Sequence, residues 1–301
     1  MQNVNSQMTK TNKTLFPNRR SALIVALFAT IVGTVADQAS DKSKYHLFHP
    51  TPDRLLRDLS TDRPDLTESP YTVDAGHFQI ETDFVNASFD HDKSGGGDVH
   101  SRSEVYGGIN FKIGLLNQVD LQTVFNFHVI ETSKDRITGI KNREQGFGDI
   151  TTRLKINLWG NDQGRTALGI MPFVKYPLSA SGVRNGKTEG GIILPFALDM
   201  GGGWGLGAQT EVDFVSDGAG GHDTEYFNTV TIGHDIIGNI AGYTEFAALL
   251  TPEDAIDWQG FWNVGFTYTI NANTQLDCGC NFGVTDSAPD YNPFFGLSFR
   301  Y

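Results

Sequence analysis

Acidic and basic side chains recur two residues apart within apolar stretches of the chain. Glu81 and Asp83 form one such pair, and Arg153 and Lys155 form another. Residues two apart in a β-strand point to the same face of the sheet, so each pair would project from the polar face of one strand. Facing charges pair across strands, and charges that line a water-filled path select ions by sign. The pattern therefore predicts a charged interior surface.

Taken over all the predicted strands, this polar face holds more acids than bases. The excess of carboxylates predicts a preference for cations over anions in any water-filled path. A slip of one residue in register would exchange the two faces of a whole strand. The acids are Glu81, Asp83, Glu104, Asp120, Asp149, Glu211, Asp213, Glu245 and Asp277, and the bases are Lys112, Arg153, Lys155, Lys175 and Arg300.

A second set of charges precedes the first strand, in a polar segment that contains Pro64 and Pro70. Two placements of this segment fit the sequence. If the strands close into a barrel, the segment folds into the interior (the lumen) as a plug or gate, or it forms a solvated periplasmic tail. In the lumen its charges would find complementary side chains on the strands. The charged residues of the segment are Asp62, Arg63, Asp65 and Glu68, and their expected complements are Arg153, Lys155 and Glu211.

The sequence contains no catalytic motif. A lipase-like barrel would need a serine nucleophile with a histidine base and an acidic partner, but the chain has no Gly-x-Ser-x-Gly elbow. Nothing in the spacing of Ser88, Asp120, His128 and His234 selects them for such a site. We therefore predict no enzyme activity and no catalytic residue.

Metal and cofactor sites are not indicated either. His46 and His49 have the spacing of one helix face, but Pro50 disfavours a helix there, and we interpret this stretch as a linker. Cys278 and Cys280 would point in parallel from one strand, which disfavours a disulfide, and no third ligand stands nearby for a metal. We expect no metal and no cofactor.

Composition excludes one class of partner and favours strands. The 35 acidic residues outnumber the 23 basic ones, and the formal charge of −12 argues against a nucleic-acid partner. The 34 glycines are unfavourable for long helices but suit a protein of many strands and tight turns.

From residue 76 onward, apolar and polar residues alternate in strand-length segments separated by Gly, Asn and Asp clusters. We count twelve segments, an even number as in bacterial outer-membrane barrels. The links between them alternate between short and long, which is typical of a membrane barrel with its short turns in the periplasm. The segments are 78–85, 104–113, 119–129, 149–159, 168–175, 192–200, 206–214, 226–237, 240–250, 258–270, 275–284 and 295–301.

The N-terminus has the layout of a secretory signal. Basic residues precede the apolar run from Ala22 to Val35, and small residues precede Asp37. The run is too short for a comfortable membrane-spanning helix. We therefore predict a signal peptide over 1–36, a periplasmic or lumenal segment over 37–75 and the barrel over 76–301.

The last predicted strand alternates apolar side chains and ends on an aromatic residue, Tyr301. This ending is similar to the assembly signal of bacterial outer-membrane proteins, and we expect the barrel-assembly machinery to bind it. Most Trp and Tyr residues fall near predicted strand ends, where a barrel places its interfacial aromatic girdles. Tyr106 and Tyr243 are predicted to point inward.

The sequence around the start of the predicted barrel resembles that of a known family. The stretch from Ser60 to Pro70 (STDRPDLTESP), followed by Val73 to Glu81 (VDAGHFQIE), carries most of the likeness. Further likeness lies in Gly146–Ile150 and Phe173–Pro177. The family comprises outer-membrane transporter-like proteins labelled "Putative MetA-pathway of phenol degradation". The resemblance implies a barrel that moves hydrophobic or aromatic compounds.

Together these observations predict an all-β protein: a transmembrane antiparallel barrel of about twelve strands with a short N-terminal plug or tail. We expect it in the bacterial outer membrane after export, with lipid as its surroundings and a small molecule of unknown identity as its substrate. The predicted function is passive passage of small, hydrophobic or aromatic molecules. The alternative is a structural or adhesion barrel whose lumen is closed by its own side chains.

Overall fold

The computed structural model describes residues 41–179, 186–252 and 258–301. The predicted signal peptide, residues 1–36, lies outside these ranges. Over the described residues no helix has the length and apolar character needed to cross a membrane. The described residues include two short 3-10 turns, Asp53–Leu55 and Ser94–Gly96.

Alternating apolar and polar residues produce antiparallel strands along the rest of the chain. The strands are β1 (Phe78–Asp92), β2 (Val99–Leu116), β3 (Val119–Asp135), β4 (Lys141–Gly146), β5 (Ile150–Trp159), β6 (Thr166–Tyr176), β7 (Glu189–Gly201), β8 (Trp204–Ser216), β9 (His222–Ile237), β10 (Ile240–Leu250), β11 (Gln259–Asn271), β12 (Thr274–Gly283) and β13 (Tyr291–Arg300).

The strands close into a twelve-stranded antiparallel barrel, as the alternation predicts. Apart from β4 and β5, which both pair with β3, each strand pairs with its sequence neighbour, and β1 also pairs with β13, which closes the ring. The short strand β4 adds no position to the wall, because β4 and β5 pair with successive parts of the same edge of β3. Closure leaves no unpaired edge, which is what a sheet in hydrocarbon requires.

The distribution of polarity is the reverse of that in a soluble protein. Large apolar side chains such as Phe127, Ile232 and Trp262 are exposed on the outer wall. By contrast, Lys112 and Lys155 are among the largest fully buried side chains of the molecule. An apolar exterior around a polar interior is the pattern of a barrel in lipid.

Short and long links alternate around the barrel. The turns after β2, β7, β9 and β11 are short, whereas the links after β1 and β3 are extended hairpins. We call the two ends of the barrel the short-turn end and the long-loop end. In outer-membrane barrels the short turns face the periplasm and the longer loops face outward from the cell.

Both cysteines lie on β12 and are free. Cys278 is exposed on the outer wall, and Cys280 follows two residues later on the same face. Their parallel orientation agrees with the expectation that they form no disulfide.

Candidate functional site

Residues 42–77, here called the N-terminal segment, enter the barrel at the short-turn end. Arg57 Nη1 donates hydrogen bonds of 3.0 Å to Asn117 in the β2–β3 turn and to Asp162 in the β5–β6 turn. Its Nη2 donates to the carbonyl of Thr72, within the segment itself. Arg57 therefore fixes the fold of the segment and fastens it to two turns.

A buried carboxylate, Asp74, organises the same end. It accepts the backbone N–H of Arg57 at 3.0 Å. Lys42 Nζ lies 3.3 Å away and Arg300 Nη1, from the last strand, lies 3.7 Å away. Buried charges are tolerated only when paired and hydrogen-bonded, and Asp74 meets both conditions.

Further along, residues 60–74 touch strands on every side of the barrel. A chain outside the barrel could reach only neighbouring strands, so contacts with β1, β2, β3, β5, β8, β9, β10 and β12 place this stretch within the lumen. The wall residues in contact with it include Glu81, Asp83, Lys112, Asp120, Arg153, Lys155, Asn157, Gln209, Thr229, Glu245 and Asp277.

Asp62 lies at the centre of a four-residue ion-pair cluster. Its two carboxylate oxygens each lie 2.5 Å from an ammonium nitrogen, one of Lys112 and one of Lys155. Lys112 also pairs with Glu81, whose carboxylate accepts the backbone N–H of Asp62 at 3.1 Å. Burial tends to raise the pKa of Asp62, but the two lysines outweigh burial and hold it below its usual range. Asp62 is therefore ionised and held from β1, β2 and β5.

Arg63, the next residue, bridges two other strands. Its guanidinium donates to Asp83 of β1 at 2.6 Å and to Asp277 of β12 at 2.6 Å. The same group lies 5.7 Å from the ring centroid of Phe294 on β13. A planar fork of donors suits two carboxylates at once, which a lysine could not satisfy in the same way.

Glu245 of β10 accepts hydrogen bonds from backbone N–H groups of the N-terminal segment and does not pair with a charged side chain of the segment. It accepts the N–H groups of Leu66 and Thr67, at 3.0 and 2.8 Å, and the Thr67 hydroxyl at 2.6 Å. Asn263 of β11 donates to it as well. These bonds satisfy polar backbone groups that would otherwise be buried without partners.

Asp65 lies in the chain between Arg63 and the residues bound to Glu245. Unlike Asp62, which contacts Lys112 and Lys155, it has no lysine paired with it in the described structure. Burial and the carboxylate of Glu245 raise the pKa of Asp65 well above its usual range. The neighbouring carbonyl of Pro64 accepts a hydrogen bond of 3.3 Å from the Tyr243 hydroxyl. Tyr243 therefore points into the lumen, as expected from the sequence.

Glu68 anchors the segment on the opposite side of the lumen. Its carboxylate accepts a 2.6 Å hydrogen bond from Arg153 of β5, and its backbone N–H donates to Gln209 of β8 at 2.7 Å. Burial and the nearby Asp62 carboxylate raise the pKa of Glu68 to about 7, against the pull of Arg153.

Glu211 and Asp213 continue the inner face of β8 toward the long-loop end. Glu211 accepts a hydrogen bond of 2.7 Å from Gln209, the residue that holds Glu68. The wall above the segment is therefore acidic on this side.

Glu104 is the one predicted lumen residue that the structure places on the outer wall. β1 has a register irregularity between Asp83 and Val85, and Gly107 in β2 has a φ of 65°. Beyond these points the two faces of β2 are exchanged, and Glu104 accepts hydrogen bonds from Arg102 and Tyr106. Tyr106, predicted to point inward, lies outside with it.

Two cavities remain beside the segment, both near the short-turn end. One, of about 540 Å³, lies around Arg57 and Arg300. The other, of about 500 Å³, lies between residues 60–71 and the inner wall of β7 to β11, which includes Gly205 and Gly233. Both are large enough for a small organic molecule.

The uncharged members of this site are not among the site residues predicted from the sequence. Gln209, Asn157, Thr229 and Asn263 are buried on the inner wall, and three of them bond directly to the N-terminal segment. Their polar positions on alternating strands were the available signal, but a search limited to charged residues passes over amides and hydroxyls.

Comparison with known proteins addresses the family and the fold. The model of the family described as "Putative MetA-pathway of phenol degradation" matches residues 61–301. The chain belongs to this family. The match begins at the Asp62 cluster, so the family includes the lumenal part of the N-terminal segment as well as the barrel. A comparison with curated proteins finds no match.

Among solved structures, an outer-membrane channel from Pseudomonas putida F1 matches this family member with a TM-score of 0.60 and 11% identity, covering 80% of this chain and 100% of that one. The NanC porin matches with a TM-score of 0.46, 10% identity and coverages of 74% and 98%. The CymD monoaromatic hydrocarbon channel matches with a TM-score of 0.41, 9% identity and coverages of 74% and 87%. The first match bears on the fold, which is that of an outer-membrane channel.

Proposed function

We propose that this family member is an outer-membrane channel for passive passage of small hydrophobic or aromatic molecules, with the N-terminal segment as its plug. One observation carries the proposal: residues 60–74 cross the lumen and bond to its wall on all sides, yet leave a cavity of about 500 Å³ beside them. A barrel closed for purely structural reasons would not need this space.

The chemistry of the cavity supports an apolar passenger. Gly205 and Gly233 present no side chain, and an added Cβ at Gly205 would meet nothing within 4 Å. Pro64 and Tyr71 of the plug and Tyr243 of the wall add apolar and aromatic surface. Polar side chains such as Asp65 and His234 also line the cavity, and apolar surface beside polar groups is typical of sites for small organic ligands.

Two comparisons point the same way without identifying the passenger. The family description refers to phenol degradation, and one barrel of similar fold is titled a monoaromatic hydrocarbon channel. The acidic wall of β8 above the plug supports a secondary preference for cations over anions among any ions that enter.

The test is uptake of a labelled small aromatic compound, such as phenol, by Gram-negative cells that express the protein. We expect faster uptake than in cells with an empty vector, and Gly205→Phe should bring the rate back toward the vector level because its ring fills the cavity. Ile232→Phe, on the lipid-facing side of β9, is the matched control and should leave uptake unchanged.

Each variant must reach the outer membrane as a heat-modifiable folded barrel before its uptake is compared. Uptake no faster than in the vector control, with the protein folded, would overturn the channel proposal in favour of a closed structural barrel. Equal losses in Gly205→Phe and Ile232→Phe would show that the cavity is not the route.

A further inference from the structure

Three potential metal ligands converge at the tip of the β1–β2 hairpin, at the long-loop end. His91 and His100 are directly opposite in the antiparallel pairing, and their ring centroids lie 3.9 Å apart. Asp98, just before β2, places one carboxylate oxygen 2.8 Å from His91 Nε2 and 3.3 Å from His100 Nε2. In the parts of the chain that the structure describes, no other His, Cys, Asp and Glu side chains converge in this way.

The geometry is close to that of a metal site. The three ligand atoms all lie within 4.8 Å of one another. Around a tetrahedral zinc ion with bonds of about 2.1 Å, neighbouring ligand atoms are about 3.4 Å apart. The two observed contacts of 2.8 and 3.3 Å need only small adjustments to reach that spacing. The sheet pairing fixes both histidine backbones, and the stacked rings, 19° from parallel, would turn on binding so that both nitrogens point at one ion.

The chemistry of the set selects the kind of ion. Two imidazole nitrogens and one carboxylate oxygen suit zinc and other divalent transition metals, whereas calcium and magnesium prefer oxygen ligands alone. All three side chains are partly exposed, so water can occupy the remaining coordination positions. Of the nearby charges, Asp90 and Asp92 favour a cation, while Lys134, opposite His100, and Arg136, close to Asp98, disfavour one.

We propose that His91, Asp98 and His100 form a binding site for one divalent transition-metal ion, with Zn²⁺ as the reference ligand. The ion would link the turn to both strands of the hairpin. It would also stiffen the neighbouring hairpin, because the carbonyl of Asp98 accepts the backbone N–H of Arg136 in the β3–β4 connection. The site lies on the outward hairpin and does not depend on what passes through the lumen.

The test is isothermal titration calorimetry of ZnCl₂ into the full-length protein, purified without a histidine tag in a zwitterionic detergent. We expect saturable binding of one ion per chain. Loss of a residue that only orients a metal ligand costs about 10- to 100-fold in affinity, so loss of a ligand should cost at least as much. His91→Ala and the isosteric Asp98→Asn should therefore each weaken binding at least about tenfold.

His222→Gln is the matched control. His222 is exposed at the same end of the barrel, and its side chain bonds to the carbonyl of Thr188 in the β6–β7 link, so its loss should leave the affinity unchanged. Heat-modifiability confirms that each variant is folded. Absence of saturable binding, or equal weakening in His222→Gln and His91→Ala, would overturn the proposal.

Discussion

Neutralising Asp62 should release the N-terminal segment from the lumen. Asp62→Asn keeps the shape of the side chain but removes the charge that faces Lys112 and Lys155 at 2.5 Å each. Lys112 keeps Glu81 as its partner, whereas Lys155 loses its ion-pair partner while remaining buried. Removing one partner of a buried ion pair typically costs about 3–5 kcal/mol. That cost would raise the undocked fraction of the segment between about 10²- and 10⁴-fold.

The assay is single-channel conductance of the full-length protein in a planar bilayer. We expect rare, small openings in the wild type, because the segment crosses the lumen, and frequent or larger openings in Asp62→Asn. Adding Lys155→Met to the same chain removes the orphaned ammonium, so the double variant should open less often than Asp62→Asn alone. This non-additivity is what coupling between contacting residues produces.

One result would refute the reasoning. If Asp62→Asn forms a folded barrel with the same conductance as the wild type, the ion-pair cluster does not hold the segment in place. If the effects of Asp62→Asn and Lys155→Met on the free energy of opening simply add in the double variant, the two residues act independently.

Two further perturbations test other anchors of the segment. The pKa of Glu68 is raised from 4.5 to about 7 in the docked segment, so docking is strongest below pH 4.5 and weakens as the pH rises through 7. Opening frequency should therefore increase between pH 4.5 and 7, and Glu68→Gln should reduce that increase, leaving the part that comes from Asp65; an unchanged pH dependence would contradict the assignment. Gly114→Ala should displace the segment, because its Cβ would overlap the carbonyl oxygen of Asp74, whereas the added Cβ of Gly205→Ala meets nothing within 4 Å. We expect Gly114→Ala alone to increase conductance and lower the thermal midpoint, and equal effects of both would contradict this steric argument.

The sequence by itself determined the barrel and most of its inner surface. Alternation with a period of two is a local property, because each side chain takes its face from its own position in the strand. All twelve wall strands and the inward positions of Lys112, Arg153 and Glu245 could therefore be predicted without knowledge of distant contacts.

Local reasoning failed where the strand itself is irregular. Glu104 follows the same alternation as Lys112 in the sequence, but the irregularity at Asp83–Val85 and the positive φ of Gly107 exchange the faces between them. Such a bulge depends on how neighbouring strands pair, and a single-strand pattern does not contain that information.

Only the tertiary structure decided where the N-terminal segment lies. Its charges suit a solvated tail as well as a lumenal plug, and the choice depends on partners far away in sequence: Arg63 meets Asp277, 214 residues later, and Thr67 meets Glu245, 178 residues later. The same is true of the hairpin histidines, whose convergence depends on the register that pairs His91 with His100. Charge and spacing determine which groups are available, but closure of the barrel determines which of them meet.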